Sequence, residues 1–372
     1  MKIGIITIPP YYNYGGILQA YALSHVLKGL GYEAEIIYKK KIWELPWGLK
    51  FWTYTKRAIK KYIFREPAWI FWENKNEREW PVVTQYTLGF VRKYIPYRVV
   101  ADYSSIQEHD YDVFLLGSDQ VWRPCYFNGD IVDAYLKFTI GWTVKRIAYA
   151  VSFGVDKWEY TPTQTKECAG LVKLFDFVSV RESSAVQLCK EHLHVNAVHV
   201  LDPTLLLNRE DYDGLIKSDS ASHKGEIFNY ILDWNEEKRR FIADFEKSTG
   251  KNSFSVHSRI EDWSAPLEER IQPGVETWLQ GIRSACYVIT DSFHACVFSI
   301  IFNRPFFVIC NEDRGLARIT SLLSMFGLES RLIHLRKSID ECDQIDWKSV
   351  NERLCVLRTK SEKYLKDSLN SL

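Results

Sequence analysis

Two doubly wound α/β domains facing each other across a cleft are what the amino-acid sequence predicts, and three observations carry the prediction. Short apolar runs of strand length alternate with stretches whose apolar positions recur at helical spacing, the pattern of parallel sheets. Each apolar run finishes in small or polar residues, at the strand end where open α/β sheets hold ligands. The rhythm also starts twice, at Lys2 and again after Asn208. A chain of 372 residues is longer than one hydrophobic core usually takes. The expected division is 1–205 and 206–345, with a closing helix over 346–372 placed to cross back to the first domain.

The elements follow in order. Lys2 to Ile8 is a buried first strand. The loop Pro9-Pro-Tyr-Tyr-Asn-Tyr-Gly-Gly leads into a helix over Ile17–Leu30, which Gly31 ends. Tyr32 to Tyr38 is the second strand, so the chain opens as βαβ, although the loop is not the G-x-G-x-x-G of dinucleotide sites. The sheet resumes at Asp112-Val-Phe-Leu-Leu, ending in Ser118, Asp119 and Gln120. Arg146–Val151 ends in Ser152-Phe-Gly154, and Phe177–Val180 ends in Arg181-Glu-Ser-Ser, where Ser183 or Ser184 could cap a helix. Val198–Leu201 ends in Asp202-Pro203-Thr204. In the second half Glu226–Leu232 is a strand, Glu236–Thr249 a helix and Ser253–His257 a strand. A helix over Pro273–Ala285 has proline near its first turn. Then come a strand over Ala285–Thr290, a helix over Ala295–Phe302 and a strand over Phe306–Cys310.

One segment interrupts this rhythm as an insertion in the first domain. Residues 39–72 carry Trp43, Trp47, Trp52, Trp69 and Trp72, with Lys50, Lys56, Arg57, Lys60, Lys61 and Arg65 between them. Only Glu44 and Glu66 oppose these charges. The pattern predicts one or two basic, aromatic-rich helices. They either form a surface hairpin packing aromatics on the core, or make a peripheral contact with anionic lipid headgroups or a lipid-linked acceptor.

Composition narrows the function. A net charge of +1 means that bulk charge argues for neither nucleic acid nor membrane as a partner. The eight cysteines form no C-x-x-C pair, which favours reduced, structural thiols in the cytoplasm over disulfides or zinc. The apolar N-terminus is too short for a signal peptide, and no stretch reaches the roughly 20 apolar residues of a spanning helix. The expected location is therefore cytoplasmic, with the 39–72 segment as the possible contact to the inner membrane face.

The chemistry concentrates in Asp291-Ser-Phe-His-Ala, where His294 follows a strand and opens a helix whose N-terminus, near Ser292, favours anions. Either His294 is a satisfied core histidine or it transfers protons. Arg181 is either an anion fork facing the cleft or ion-paired with Glu182 or another carboxylate. Arg314 and Arg318 either lie on a solvated helix face or bind anions. Asp119 either bonds its own loop or acts in catalysis. There is no P-loop, no G-x-S-x-G elbow and no clustered metal ligands, so the expectation is acid–base chemistry on a small, highly anionic substrate without covalent catalysis, in which no step requires a metal or cofactor.

Gly117-Ser-Asp-Gln-Val-Trp, Ala150-Val-Ser-Phe-Gly, Val180-Arg-Glu-Ser-Ser, Leu201-Asp-Pro-Thr-Leu-Leu and Asp291-Ser-Phe-His-Ala resemble the ordered landmarks of the polysaccharide pyruvyl transferase family, as Asn13-Tyr-Gly-Gly-Ile-Leu-Gln-Ala resembles its opening loop. The resemblance implies two Rossmann-like domains in a GT-B-like arrangement. It implies phosphoenolpyruvate as donor and a sugar hydroxyl pair as acceptor, joined as a cyclic ketal with release of phosphate, in bacterial cell-surface polysaccharide biosynthesis. Arg181, His294 and Arg314 fall at positions the family links to the donor; relatives often carry lysine where Arg314 stands. Ser292 and Arg318 join them as donor candidates. Asn13, Gly15, Gly16, Ser118, Gln120 and Ser152 are acceptor candidates, and Asp119 binds the acceptor or takes its proton. In this reading His294, as an imidazolium favoured by the bound anion beside it, protonates the donor's methylene carbon, and the acceptor is a lipid-linked oligosaccharide. A nucleotide-sugar glycosyltransferase on the same architecture and a catalytically dead scaffold of an assembly complex are the rivals.

Overall fold

Two wholly parallel sheets organise the chain. A computed structural model describes residues 1–41, 43–66, 69–127, 129–216, 225–311, 314–334 and 344–371. Cys342, Leu372 and residues 42, 67 and 68 of the basic segment lie outside the described residues.

The first half runs β1 (Lys2–Ile6), α1 (Tyr14–Gly29), β2 (Glu33–Lys39), α2 (Trp47–Tyr62), α3 (Trp72–Val83), α4 (Gln85–Tyr94), β3 (Tyr97–Val100), β4 (Val113–Leu116), β5 (Lys145–Val151), α5 (Pro162–Leu171), β6 (Phe177–Val180), α6 (Ser183–Leu188) and β7 (Val198–His199). Its sheet has the order β3-β2-β1-β4-β5-β6-β7. The second half runs α7 (Arg209–Asp213), β8 (Ile227–Tyr230), α8 (Glu236–Thr249), β9 (Ser253–Phe254), α9 (Leu267–Arg270), α10 (Val275–Ser284), β10 (Tyr287–Thr290), α11 (Phe293–Ile301), β11 (Phe306–Ile309), α12 (Ala317–Phe326), β12 (Leu332–Ile333) and α13 (Trp347–Asn370). Its sheet has the order β12-β11-β10-β8-β9.

Helices cover both faces of each sheet, which is why the strands are apolar throughout rather than alternating. In β4, Val113 and Leu115 join one core while Phe114 and Leu116 join another. In β10, Val288 and Ile289 divide the same way. Each half is therefore Rossmann-like, and the two share a continuous core. Tyr14 of α1 stacks on Trp278 of α10 at 5.3 Å and donates its hydroxyl to the Pro273 carbonyl at 2.9 Å. The closing helix α13 lies against the first half: Arg358 donates to the carbonyls of Leu205 and Leu207, and Lys145 donates to that of Ser371.

Several expectations need correction. α1 starts at Tyr14 rather than Ile17, because the Asn13 side chain accepts from the Gly16 N–H at 3.1 Å and caps it. The strands expected over Val198–Leu201 and Ser253–His257 stop at His199 and Phe254. Ser183 and Ser184 cap nothing; Glu182 stands at the cap position, and the Ser183 N–H donates to Ser321 Oγ. Pro273 lies before α10, whose cap position is Gly274. The region 72–100, whose mixed polar and aromatic pattern predicts no element, supplies α3, α4 and the edge strand β3.

Candidate active site

A cavity of about 570 Å³ lies between the two sheets, a size suited to a small-molecule site. Its position follows from strand order. In the first sheet the order reverses between β1 and β4; in the second it reverses between β8 and β10. Such switch points open a crevice at the carboxyl ends of the strands. Both crevices face the same space. Ile8 to Asn13 follow β1, Asp119 and Gln120 follow β4, Leu232 follows β8, and Asp291 to His294 follow β10; residues from all four stretches line the cavity.

The second-half wall is braced by carboxylates. Asp291 accepts from the Leu232 N–H at 2.7 Å, from Lys238 Nζ at 2.8 Å and from Asn311 Nδ2 at 3.1 Å, tying together the ends of β8, β10 and β11. Asp233 receives Arg314 through Nε at 2.5 Å and through a terminal nitrogen at 2.9 Å. Arg314 thus lines the cavity with its charge already balanced. Arg318, in the first turn of α12, also lines the cavity but has no carboxylate partner among the described residues. Its Nε is buried without a hydrogen-bond partner, and burial beside Arg181 pushes its pKa down to about 10. A guanidinium so placed is electrostatically short of an anion.

His294 sits in the first turn of α11, buried, with its ring against α1. A methyl group on Gly15 would stand 2.0 Å from Nδ1, so only glycine admits the ring there. Nε2 lies 3.8 Å from Asp202 Oδ2. Asp202 is fully buried and accepts from Arg181 at 2.7 Å, from Ser118 Oγ at 2.9 Å and from the Thr204 hydroxyl at 2.6 Å. Burial alone would raise the Asp202 carboxyl, but Arg181, His294 and these hydrogen bonds hold it at about 2. Burial pushes the His294 imidazole down to about 4 despite the pull of Asp202. Without a ligand His294 is therefore neutral near pH 7, and the imidazolium expected from the sequence is a form that a bound anion would have to favour.

Arg181 is also corrected: it does not line the cavity. Its guanidinium is buried, paired with Asp202, 3.6 Å from Asp119 and 4.5 Å from the centre of the Phe293 ring. The ion-pair alternative holds, with Asp202 in place of Glu182. Glu182 instead accepts from Ser152 Oγ and from the N–H groups of Phe153 and Gly154, at 3.0, 2.8 and 3.0 Å. Ser118 and Ser152, expected to meet an acceptor, are spent on Asp202 and Glu182 and stand behind the wall. The other candidates, Asn13, Gly15, Gly16, Asp119, Gln120, Ser292, His294, Arg314 and Arg318, all line the cavity.

Asp119 bonds its own loop and also borders the cavity. Its Oδ1 accepts from the Gln120 N–H at 2.9 Å, so it does bond its own loop. It also faces the cavity, with φ at 86°, a left-handed conformation that non-glycine residues rarely adopt. Its neighbour across the sheet, β5, carries a register shift at Ala150, whose φ is 52°. Strain and a bulge at one strand end are common beside functional sites.

The sequence reading missed part of the lining. Lys41, Tyr12, Trp43, Trp72 and Glu261 form an aromatic wall. Lys41 Nζ lies 4.2 and 4.0 Å from the centres of the Trp43 and Trp80 rings, and burial pushes its pKa down to about 8. The basic aromatic segment announced this wall in composition, but not that its first part turns inward. Among the described residues, no three His, Cys, Asp or Glu side chains are grouped to hold a metal ion, and no helix is long and apolar enough to cross a membrane.

The family model for polysaccharide pyruvyl transferases matches residues 13–313, and the chain belongs to that family. It is accordingly a transferase of polysaccharide pyruvylation. No curated protein matches it in sequence. Among solved structures it is similar to a glycosyltransferase from Rickettsia africae (12% identity, 100% of this chain and 99% of that one, TM-score 0.48). It is also similar to the UDP-GlcNAc 2-epimerase from Neisseria meningitidis bound to UDP-GlcNAc (9% identity, 99% and 94%, TM-score 0.46). A third is the E. coli heptosyltransferase WaaC with ADP (12% identity, 95% and 98%, TM-score 0.39).

Proposed function

We propose that the protein transfers pyruvate from phosphoenolpyruvate to two hydroxyls of one sugar as a cyclic ketal, with release of phosphate. The observation that carries this is the guanidinium of Arg318, without a carboxylate partner among the described residues, in the same cavity as a buried histidine. Phosphoenolpyruvate brings a carboxylate and a phosphate, and Arg318 with the N-terminus of α11 meets one of them. Arg314, neutralised by Asp233, contributes hydrogen-bond direction more than net charge.

The donor's negative charge beside His294 favours its imidazolium form, which burial otherwise disfavours. Asp202, held ionised by Arg181, stabilises the same form. The imidazolium then protonates the methylene carbon, leaving an oxocarbenium-like centre at the neighbouring carbon. One sugar hydroxyl adds there, the C–O bond to phosphate breaks, and the second hydroxyl closes the ketal. Of the two hydroxyl protons released, one balances the new methyl group through His294 and the other leaves on phosphate. Asp119 is placed to accept the first of them. The acceptor sugar lies along Tyr12, Trp43 and Trp72, which offer ring faces and edges, with Glu261 as a hydrogen-bond acceptor.

The test is a thermal shift with phosphoenolpyruvate against a panel of nucleotide sugars, using wild type and Arg318→Met. A ligand at ~100 times its Kd stabilises the folded state by ~2.7 kcal/mol, which a melting curve resolves. A shift with phosphoenolpyruvate that Arg318→Met abolishes is the expected result. A shift with a nucleotide sugar alone would replace this reading with a glycosyltransferase.

A further inference from the structure

The helix α2 is folded inside out. It spans 16 residues and none is buried. Most residues facing the protein are polar or basic: Lys50, Thr53, Tyr54 and Arg57 are half-buried along one helical stripe, and Ala58 is half-buried next to Arg57. Arg57 anchors that stripe through two bonds to Glu73, at 2.8 and 2.9 Å, and Tyr54 meets the edge of Phe71. The exposed side of the helix, where a globular protein puts its charges, carries Trp47, Phe51, Trp52, Ile59 and Tyr62. Trp47 is 89% exposed, and Phe51 and Trp52 are each 74% exposed, so these rings touch almost nothing of the chain. Ile63 and Phe64 continue the same exposed apolar surface past the helix.

We infer that α2 docks this face into an anionic lipid surface. An amphipathic helix with aromatic and aliphatic residues on one side and lysines on the other lies in the plane of the headgroups, its apolar side among the acyl chains. Between residues 47 and 65 there are six basic residues and no acidic one. Lys56 and Lys61 are exposed beside these apolar residues, at the depth where anionic headgroups would meet them, while Lys60 shares its charge with Glu66 at 3.1 Å. A second copy of the chain fits this face poorly, because a two-fold contact would bring the same lysines together. The whole chain carries a net charge of only +1, so the attraction is local to this helix. The inference does not depend on the pyruvyl reading. It does add to it: Trp43 and Trp72 of the cavity wall flank α2 in the chain, so docking brings the cavity to the level of a sugar carried on lipid.

The experiment is sedimentation of the full chain with vesicles of phosphatidylcholine alone and of phosphatidylcholine mixed with phosphatidylglycerol. Wild type is expected to pellet with the mixed vesicles, less so with the neutral ones, and less as salt rises. The double variant Phe51→Glu/Trp52→Glu is expected to lower the partition coefficient roughly tenfold or more. It should keep the wild-type melting temperature and any thermal shift with phosphoenolpyruvate, since neither ring supports the fold or lines the cavity. Failure of wild type to pellet with the mixed vesicles, or pelleting that the double variant leaves unchanged, would overturn the inference. So would light scattering that shows a dimer broken by the double variant without any vesicle binding, because the face would then belong to a second copy.

Discussion

Replacing Gly15 by alanine tests whether the position of His294 is what makes the cavity reactive. The new methyl carbon would stand 2.0 Å from Nδ1, 2.4 Å from Cγ and 2.6 Å from Cε1 of the ring. Ordinary contact begins near 3.4 Å, so the ring must retreat by about 3.4 − 2.0 = 1.4 Å. The helix cannot yield instead, because Asn13 caps it and Tyr14 is stacked on Trp278. A displacement of ~1 Å at a reacting group can cost ~10²-fold in rate, and that is the loss expected in turnover. The fold should survive. Overpacking costs about 1–3 kcal/mol, while alanine in place of a helical glycine returns up to ~1 kcal/mol. The assay is phosphate release from phosphoenolpyruvate with an acceptor found by screening, run beside apo melting curves. Gly29→Ala is the control: it lies on the same helix, with nothing within 4 Å of the added methyl, and should keep turnover. Wild-type turnover in Gly15→Ala would refute the claim that the ring's place against α1 sets the chemistry.

Four further predictions follow from the charges. His294→Gln should abolish turnover while the protein stays folded, checked by the same two assays. The apo protein should lose stability as pH falls from about 6.5 to about 4. Across that window the unfolded chain binds a proton that the buried imidazole refuses, and the depressed pKa corresponds to about 3 kcal/mol in all. His257 is depressed in the same direction, so the difference between wild type and His294→Gln in pH-dependent melting isolates the His294 share. Arg181→Leu leaves Asp202 charged and buried and should cost about 3–5 kcal/mol in urea unfolding, of which Arg181→Leu/Asp202→Asn should recover a measurable part. Finally, affinity for phosphoenolpyruvate should fall as pH rises through about 8, where Lys41 loses its charge, and Lys41→Met should remove that step in a titration.

The local grammar of this chain was open to reading because it depends on neighbours in sequence. Apolar runs such as Phe177–Val180 and periodic stretches such as Glu236–Thr249 became the strand and helix that their patterns require. The placement of His294 at the opening of a helix after a buried strand was legible for the same reason. Where the period was ambiguous, as in the mixed polar and aromatic run from Trp72 to Tyr94, two helices went unread.

What only the tertiary structure decided is which strand ends share a space and which charges cancel. Strand order sets both switch points against one cavity, and no local pattern encodes that order. Arg181 finds Asp202, and Arg314 finds Asp233. These partners are distant in sequence, and pairing turns a basic residue that looks free into part of a neutral wall. Arg318 and Lys41 look no different from them in sequence. They differ because burial at the cavity leaves each without a carboxylate among the described residues, so their charge remains available to an anion.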